Sequence, residues 1–257
     1  MSRIIAVANQ KGGVGKTTTT INLSAAIAEQ GKRVLVVDTD PQGNTTTGFG
    51  IDKIRLVNTV YELLLDECSI QDAIIRNVRE RVDVIPANVN LAGAEVELIN
   101  LDRPSGVILK NILDYVRDEY DFIIMDCPPS LNILTVNAMT AAKTVLVPIQ
   151  CEYYALEGLS QLITTINHVK KRLNPSLDIE GIVFTMYDGR TNLSMQVVEN
   201  VRDHVSQHIY QTIIPRSVRL AEAPSYGEPI TTYDPKSPGA LAYMALAKEV
   251  IERKDLN

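Results

Sequence analysis

The stretch Lys11-Gly12-Gly13-Val14-Gly15-Lys16-Thr17-Thr18 constrains this chain more than any other. It follows Arg3-Ile4-Ile5-Ala6-Val7-Ala8, a short apolar run with β-branched residues that predicts a strand bounded by Asn9-Gln10. It precedes Thr19 to Gln30, which reads as a helix closed by Gly31. A strand, a glycine-rich turn and a helix in that order form a cradle for phosphate. Glycines let backbone N–H groups turn inward with no Cβ in the way, and the helix N-terminus adds partial positive charge. From such a cradle Lys16 reaches β- and γ-phosphates, and the Thr17 hydroxyl can ligate Mg²⁺.

The octet departs from the P-loop pattern at one place. G-x-x-x-x-G-K-[ST] asks for glycine at position 10, where this chain has Gln10. A second lysine, Lys11, and a shifted glycine, Gly12, stand in its place.

Downstream, apolar runs alternate with polar breaks. Val34-Leu35-Val36-Val37-Asp38 is a continuous apolar run of the kind buried on both faces of a sheet. It ends in Asp38-Thr39-Asp40-Pro41-Gln42-Gly43-Asn44, where Pro and Gly force a loop. Residues 45–80 are mixed, with helical faces at 60–65 and 70–75. Further strands are predicted at 82–86, 120–126, 144–149, 179–186 and 209–214. Further helices are predicted at 92–101, 107–119, 132–141, 157–173, 193–206 and 239–253. Strands alternating with helices mean a mostly parallel, twisted sheet with helices on both faces. No repeat, low-complexity tract or linker interrupts the pattern. The expectation is a single α/β domain over residues 1–257, with the P-loop NTPase fold.

In open α/β sheets, ligands sit beyond the carboxyl ends of the strands. Asp38 and Asp40 follow one strand there and Asp126 follows another. An apolar strand ending in Asp is the Walker-B arrangement, whose carboxylate holds Mg²⁺, usually through water. That describes Asp126. Asp40, past the strand tip on a loop, is placed to orient or polarise an attacking water. Asp38 is either a support for its neighbours or plain structure. A lone Asp at a strand end is commonly a turn or cap. Two strand tips converging on a phosphate loop favour chemistry instead.

Bulk properties exclude several classes. With 45% hydrophobic and 22% charged residues, a chain of 257 can bury a sizeable core. Cys68, Cys127 and Cys151 form neither an even set nor a CxxC pair, which points to a reducing compartment. No signal segment opens the chain, and no apolar run approaches the roughly 20 residues that span a bilayer. A cytoplasmic protein is expected. The net charge of −6 argues against a broad nucleic-acid surface, so any such surface must be a local basic patch or one built by dimerisation.

Together these stretches resemble the deviant Walker A ATPases and, within them, the ParA/Soj chromosome- and plasmid-partition ATPases. The resemblance covers nearly the whole chain. It rests on the octet, on residues 38–44 and on Asp126-Cys127-Pro128-Pro129-Ser130. Gln150-Cys151-Glu152-Tyr153-Tyr154-Ala155-Leu156-Glu157-Gly158-Leu159 and Ile214-Pro215-Arg216-Ser217-Val218-Arg219-Leu220 narrow it to the Soj-like branch.

That resemblance implies an ATPase in which Lys11 crosses a nucleotide-sandwich homodimer to the partner's phosphates. Dimerisation then depends on ATP, and a cation at the phosphates stabilises transferring charge as an arginine finger does. Lys11, Lys16 and Asp40 would be catalytic. Residues 11–18 and Pro215 would hold the nucleotide, with Pro215 against adenine, and Thr17 and Asp126 would hold Mg²⁺. The ATP dimer would bind double-stranded DNA without sequence preference, and a DNA-bound ParB/Spo0J-type partner would stimulate hydrolysis and release. Cytoplasmic protein would thus become nucleoid-associated with ATP. The P-loop strand begins at residue 3, so the N-terminal helix-turn-helix of longer plasmid relatives, and operator recognition with it, is not expected.

Arg190 and Arg219 align with basic residues the family uses on phosphates, and Arg216, Lys236 and Lys248 are further candidates. Isolated arginines are more often surface ion-pair partners. Doubled by a two-fold axis, the set could give salt-sensitive binding.

Other readings of the same loop remain. A MinD-like membrane-associated positioning ATPase needs a basic, bulky amphipathic tip, whereas this chain ends Ile251-Glu252-Arg253-Lys254-Asp255-Leu256-Asn257. A nitrogenase-type iron protein needs cysteines bridging a cluster. A small-molecule ligase or synthetase would need a metabolite pocket that nothing in the sequence announces. A non-enzymatic binding module does not require Lys16, Thr17, Asp40 and Asp126 together.

Overall fold

The computed structural model describes residues 2–100, 104–152 and 155–253. Its strands are β1 (Arg3–Val7), β2 (Val34–Asp38), β3 (Ile75–Arg79), β4 (Val82–Ile85), β5 (Phe122–Asp126), β6 (Thr144–Gln150), β7 (Asp178–Tyr187) and β8 (Ile209–Pro215). They form one sheet in the order β3-β4-β2-β5-β1-β6-β7-β8. Every pairing is parallel except that of β3 with β4.

The period of two along each strand sorts side chains into two apolar layers. Ala6, Leu35, Val37, Ile123 and Met125 face one layer, and Ile5, Val7, Val34, Val36, Phe122 and Ile124 face the other. The second layer is closed by α1 (Lys16–Glu29), whose Ile21, Leu23 and Ile27 are buried, and by the C-terminal helix. Between β2 and β5 the chain forms α2 (Asn44–Gly48), α3 (Val60–Leu64), α4 (Ile70–Ala73), α5 (Leu91–Ile99) and α6 (Ile108–Leu113). After β5 come α7 (Ile133–Ala141), α8 (Ala155–Arg172), α9 (Asn192–His204), α10 (Val218–Glu222), α11 (Ile230–Tyr233) and α12 (Pro238–Glu252). Leu63, Leu91, Leu109, Leu134, Leu162 and Val198 carry six of these helices onto the first layer. The Thr19 and Tyr243 hydroxyls, 3.2 Å apart, bind α1 to α12.

The chain leaves β1 in both directions across the sheet, towards β2 and later towards β6, and that divergence opens a crevice at the carboxyl tips. At that end Val7 pairs with Asp126, and Asp126 pairs with Asp38.

Two local expectations are corrected. The face at 70–75 is helical only to Ala73, because Ile75–Arg79 turns back as an antiparallel edge strand. Its exposed Arg76 and Asn77 give no clean alternation, and Asn77 and Arg81 take positive φ of 55° and 62°. The helix expected at 107–119 is shorter. Val107 and Val116 both sit near φ −118°, outside helical geometry, leaving one α-helix between two 3₁₀ turns. The end of the helix expected at 92–101, Tyr153-Tyr154 of the Soj-like stretch, and the tail 254–257 lie outside the described residues.

Candidate active site

The loop after β1 is held at both ends. Asn9 accepts from Lys11 N at 3.0 Å and donates its amide to Pro148 O at 2.8 Å, fastening the loop to β6. Thr185 on β7 donates its hydroxyl to Val14 O at 2.8 Å. Gly15, the residue before α1, sits at φ 87°, a left-handed conformation that side chains resist. Gly12 and Gly13 are exposed beside it, leaving the loop's outer face open.

Lys16 bends back over the loop, its Nζ donating to Lys11 O at 3.1 Å. Only 7% of the residue is exposed. Burial lowers its pKa, opposed chiefly by the charge of Asp126 and also by Asp40. Lys11 is instead half-exposed, its ammonium ion-paired with Glu152 of the same chain, two residues beyond β6.

Two carboxylates organise the floor. Asp126 Oδ2 accepts from the hydroxyls of Thr17 at 2.8 Å and Thr45 at 2.7 Å, while Thr20 reaches Oδ1 at 3.4 Å. Asp38 Oδ2 accepts from Thr46 N and Oγ1 at 2.8 and 2.7 Å, and its Oδ1 accepts from Asp40 N at 3.2 Å. Asp38 is therefore the anchor of the loop that carries Asp40. Asp40 is buried and accepts from Gln42 N at 2.9 Å. Burial raises the pKa of both Asp38 and Asp126. The neighbouring Asp126 charge raises Asp38 further, whereas the Thr45 and Thr17 hydroxyls oppose the rise at Asp126.

Among the described residues, no three His, Cys, Asp or Glu side chains are grouped to hold a metal. Mg²⁺ keeps several waters and uses one or two carboxylates plus substrate phosphates. Thr17 and Asp126 supply the hard oxygen donors such an ion takes. Alongside the loop, Gly15, Thr18, Met186, Pro215, Leu220 and Tyr243 line a largely apolar pocket of ≈ 240 Å³, large enough to take part of a ring. Thr18 and Pro215 are thus brought to one pocket from 197 positions apart (215 − 18).

A family model described as an AAA domain matches residues 2–179. The sporulation initiation inhibitor protein Soj of Bacillus subtilis (strain 168) is 55% identical over 251 residues, covering 97% of this chain and 98% of the relative. The chromosome partitioning protein ParA of Caulobacter vibrioides (strain NA1000 / CB15N) is 51% identical over 254 residues, covering 98% and 95%. The chain belongs to the Soj/ParA family of chromosome-partitioning ATPases. A solved structure described as cobyrinic acid a,c-diamide synthase from Mycobacterium smegmatis, with bound ADP and magnesium, superposes with TM-score 0.86. It is 40% identical, and the match covers 98% of this chain and 94% of that one.

In this Soj/ParA chain, sequence reasoning missed Thr45, Thr46, Thr185 and Glu152, all of which contact the loops of the site. The run Asn44-Thr45-Thr46-Thr47 reads as a turn and short helix, and nothing in it says which hydroxyl meets which carboxylate.

Three of the five basic candidates are held in ion pairs. Arg190 is spent on Asp188 at 2.7 Å, and Arg216 adds to the positive field that lowers the Asp188 pKa. Arg219 bridges Glu222 at 3.2 Å and Asp234 at 3.4 Å, close in sequence to exposed Lys236. Lys248 pairs with Glu252 and lies about 15 Å along α12 from its start.

Proposed function

We propose that this chain is a Mg²⁺-dependent ATPase of a chromosome-partition system, hydrolysing ATP to ADP and phosphate. ATP joins two copies into a dimer that binds double-stranded DNA without sequence preference, and a DNA-bound ParB/Spo0J-type partner stimulates hydrolysis and release. The observation that carries the reading is Thr17 bonded to Asp126 beneath a buried Lys16, in a family of partition ATPases.

The roles follow from charge and reach. Lys16 binds the β- and γ-phosphates, and Thr17 and Asp126 hold Mg²⁺, which neutralises phosphate charge when bound. The N–H groups of residues 12–18 bind phosphate oxygens, and Pro215 packs against adenine. Asp40 orients the attacking water. Lys11 leaves Glu152 and meets the partner's phosphates, where it stabilises the charge developing in phosphoryl transfer. Arg190, Arg216, Arg219, Lys236 and Lys248 supply the DNA contacts, doubled by the two-fold axis. Among the described residues no helix is long and apolar enough to cross a membrane, and we place the protein in the cytoplasm, on the nucleoid with ATP.

DNA retardation with Mg-ATP, repeated at rising salt, tests this. Asp40→Ala should dimerise and bind DNA without hydrolysing ATP, and the binding should weaken steeply with salt. Lys16→Ala should do neither, and Arg219→Ala should dimerise without DNA. Absence of ATP-dependent DNA binding by Asp40→Ala would overturn the partition reading. Normal DNA binding by Arg219→Ala would overturn the surface assignment alone.

A further inference from the structure

A second pocket lies at the other end of the sheet, a strand's length (about 16 Å) from the P-loop. The amino-terminal ends of β1 and β6, the end of α6 and the end of α7 enclose ≈ 500 Å³. That is within the usual range for small-molecule sites.

Its charge is opposite to that of the chain. Arg3, Lys110, Arg117 and Lys143 line it, with Asp114 as the one carboxylate. Arg3 is paired with buried Glu180, and Arg117 with Asp114 at 3.0 Å. Lys110 and Lys143 have no carboxylate partner among the described residues. Four cations less two carboxylates leave two positive charges focused on one concavity of a protein with net charge −6.

A second observation points to a ligand independently. The Ser2 and Thr140 hydroxyls are buried without any hydrogen-bond partner, and both residues line this pocket. Thr140 is only 1% exposed. Natural proteins seldom leave such groups orphaned. The end of α7 would ordinarily repel an anion through its free carbonyls. Here Asn174 Nδ2 donates to the carbonyls of Met139, Thr140 and Ala142 at 3.1, 3.1 and 2.7 Å, which quenches that repulsion.

We propose that this pocket is a binding site for a phosphorylated small molecule, separate from the nucleotide site. Lys110 and Lys143 neutralise the phosphate, and on binding the Ser2 and Thr140 side chains rotate so that their hydroxyls, buried and unpartnered without it, donate to its oxygens. The volume leaves room for an organic part beside the phosphate. The recessed hydroxyls disfavour the backbone of a DNA duplex.

Isothermal titration calorimetry of the full chain with ribose 5-phosphate and with inorganic phosphate tests the proposal. One set of titrations uses protein saturated with Mg-ADP, and a second uses Lys16→Ala without nucleotide, so a failure of ADP to bind is read separately. Saturable ribose 5-phosphate binding is expected in both, tighter than that of phosphate. Lys110→Ala/Lys143→Ala should weaken it roughly 10- to 100-fold, the scale of lost charge-assisted hydrogen bonds. Thr140→Val should weaken it with an unchanged circular-dichroism melt. Inorganic phosphate binding as tightly would reduce the site to a free-phosphate site and overturn the organic-ligand assignment. No heat at millimolar probe, binding lost in Lys16→Ala yet untouched by the lysine pair, or a lysine-pair variant deficient only in DNA binding would each overturn the pocket.

Discussion

Asp38 and Asp126 stand opposite each other across the β2–β5 ladder, both fully buried, and among the described residues neither has a Lys or Arg within ion-pair distance. In a parallel sheet, residues in register point to the same face, so the two carboxyls share one low-dielectric space beside α1. Like charges so placed disfavour joint ionisation.

Stability without nucleotide should therefore fall as pH rises. A carboxyl whose folded pKa is raised binds its proton more tightly when folded. Its stabilisation is complete below the unfolded value of 3.8 and is lost as pH rises through about 6 for Asp126 and about 7 for Asp38. Asp38→Asn removes one partner of the repulsion, so the loss between pH 5 and 8 should shrink by about 1–2 kcal/mol. Chemical denaturation of both proteins across that range measures it, and parallel pH profiles would refute it.

Thr45→Val should lower the nucleotide-free melting temperature by about 2–4 °C, the effect of about 1 kcal/mol in a chain of this size. The variant keeps the side-chain shape and deletes only the donor to Asp126. Thr45→Ser should restore the midpoint in calorimetry, and an unchanged Thr45→Val melt would mean that the bond contributes nothing.

Glu152→Gln should release Lys11. The pair is about two-fifths exposed on each side, so it contributes between 0 and about 1 kcal/mol to the fold, and the melt should barely move. ATP-dependent self-association should tighten by up to about fivefold, because Lys11 no longer has to leave a partner. Sedimentation with and without Mg-ATP reads the effect; weaker association would instead make Glu152 part of the dimer contact.

Gly43→Ala should destabilise the Asp40 loop by about 1–3 kcal/mol. Gly43 sits at φ 61°, and a Cβ there would come within 2.7 Å of Ala87 O. Urea denaturation gives the loss, and ATP turnover should fall with it, since Asp40 N would be displaced from Asp38. Wild-type turnover would show that the loop's position is not critical.

The parts legible from sequence were those that local chemistry dictates. An apolar run ending in Asp126, or a glycine-rich turn ending in Lys16-Thr17, has few other conformations open to it. Strand β3 was not legible because it is held by one ladder at the edge, where burial no longer sorts its side chains. The helix ends at Val107 and Val116 were obscured because apolar spacing continues past the point where the backbone departs from α geometry.

The sequence by itself determined a phosphate loop on a doubly covered parallel sheet, the two acidic strand tips and the family, because each is written in neighbouring residues. Only the tertiary structure decided that Asp38 and Asp126 are register partners, that Thr45 serves Asp126 while Thr46 serves Asp38, and that Lys11 is paired with Glu152, 141 residues away. Those choices depend on strand order and on where loops return, and both follow from how the two apolar layers close over the sheet.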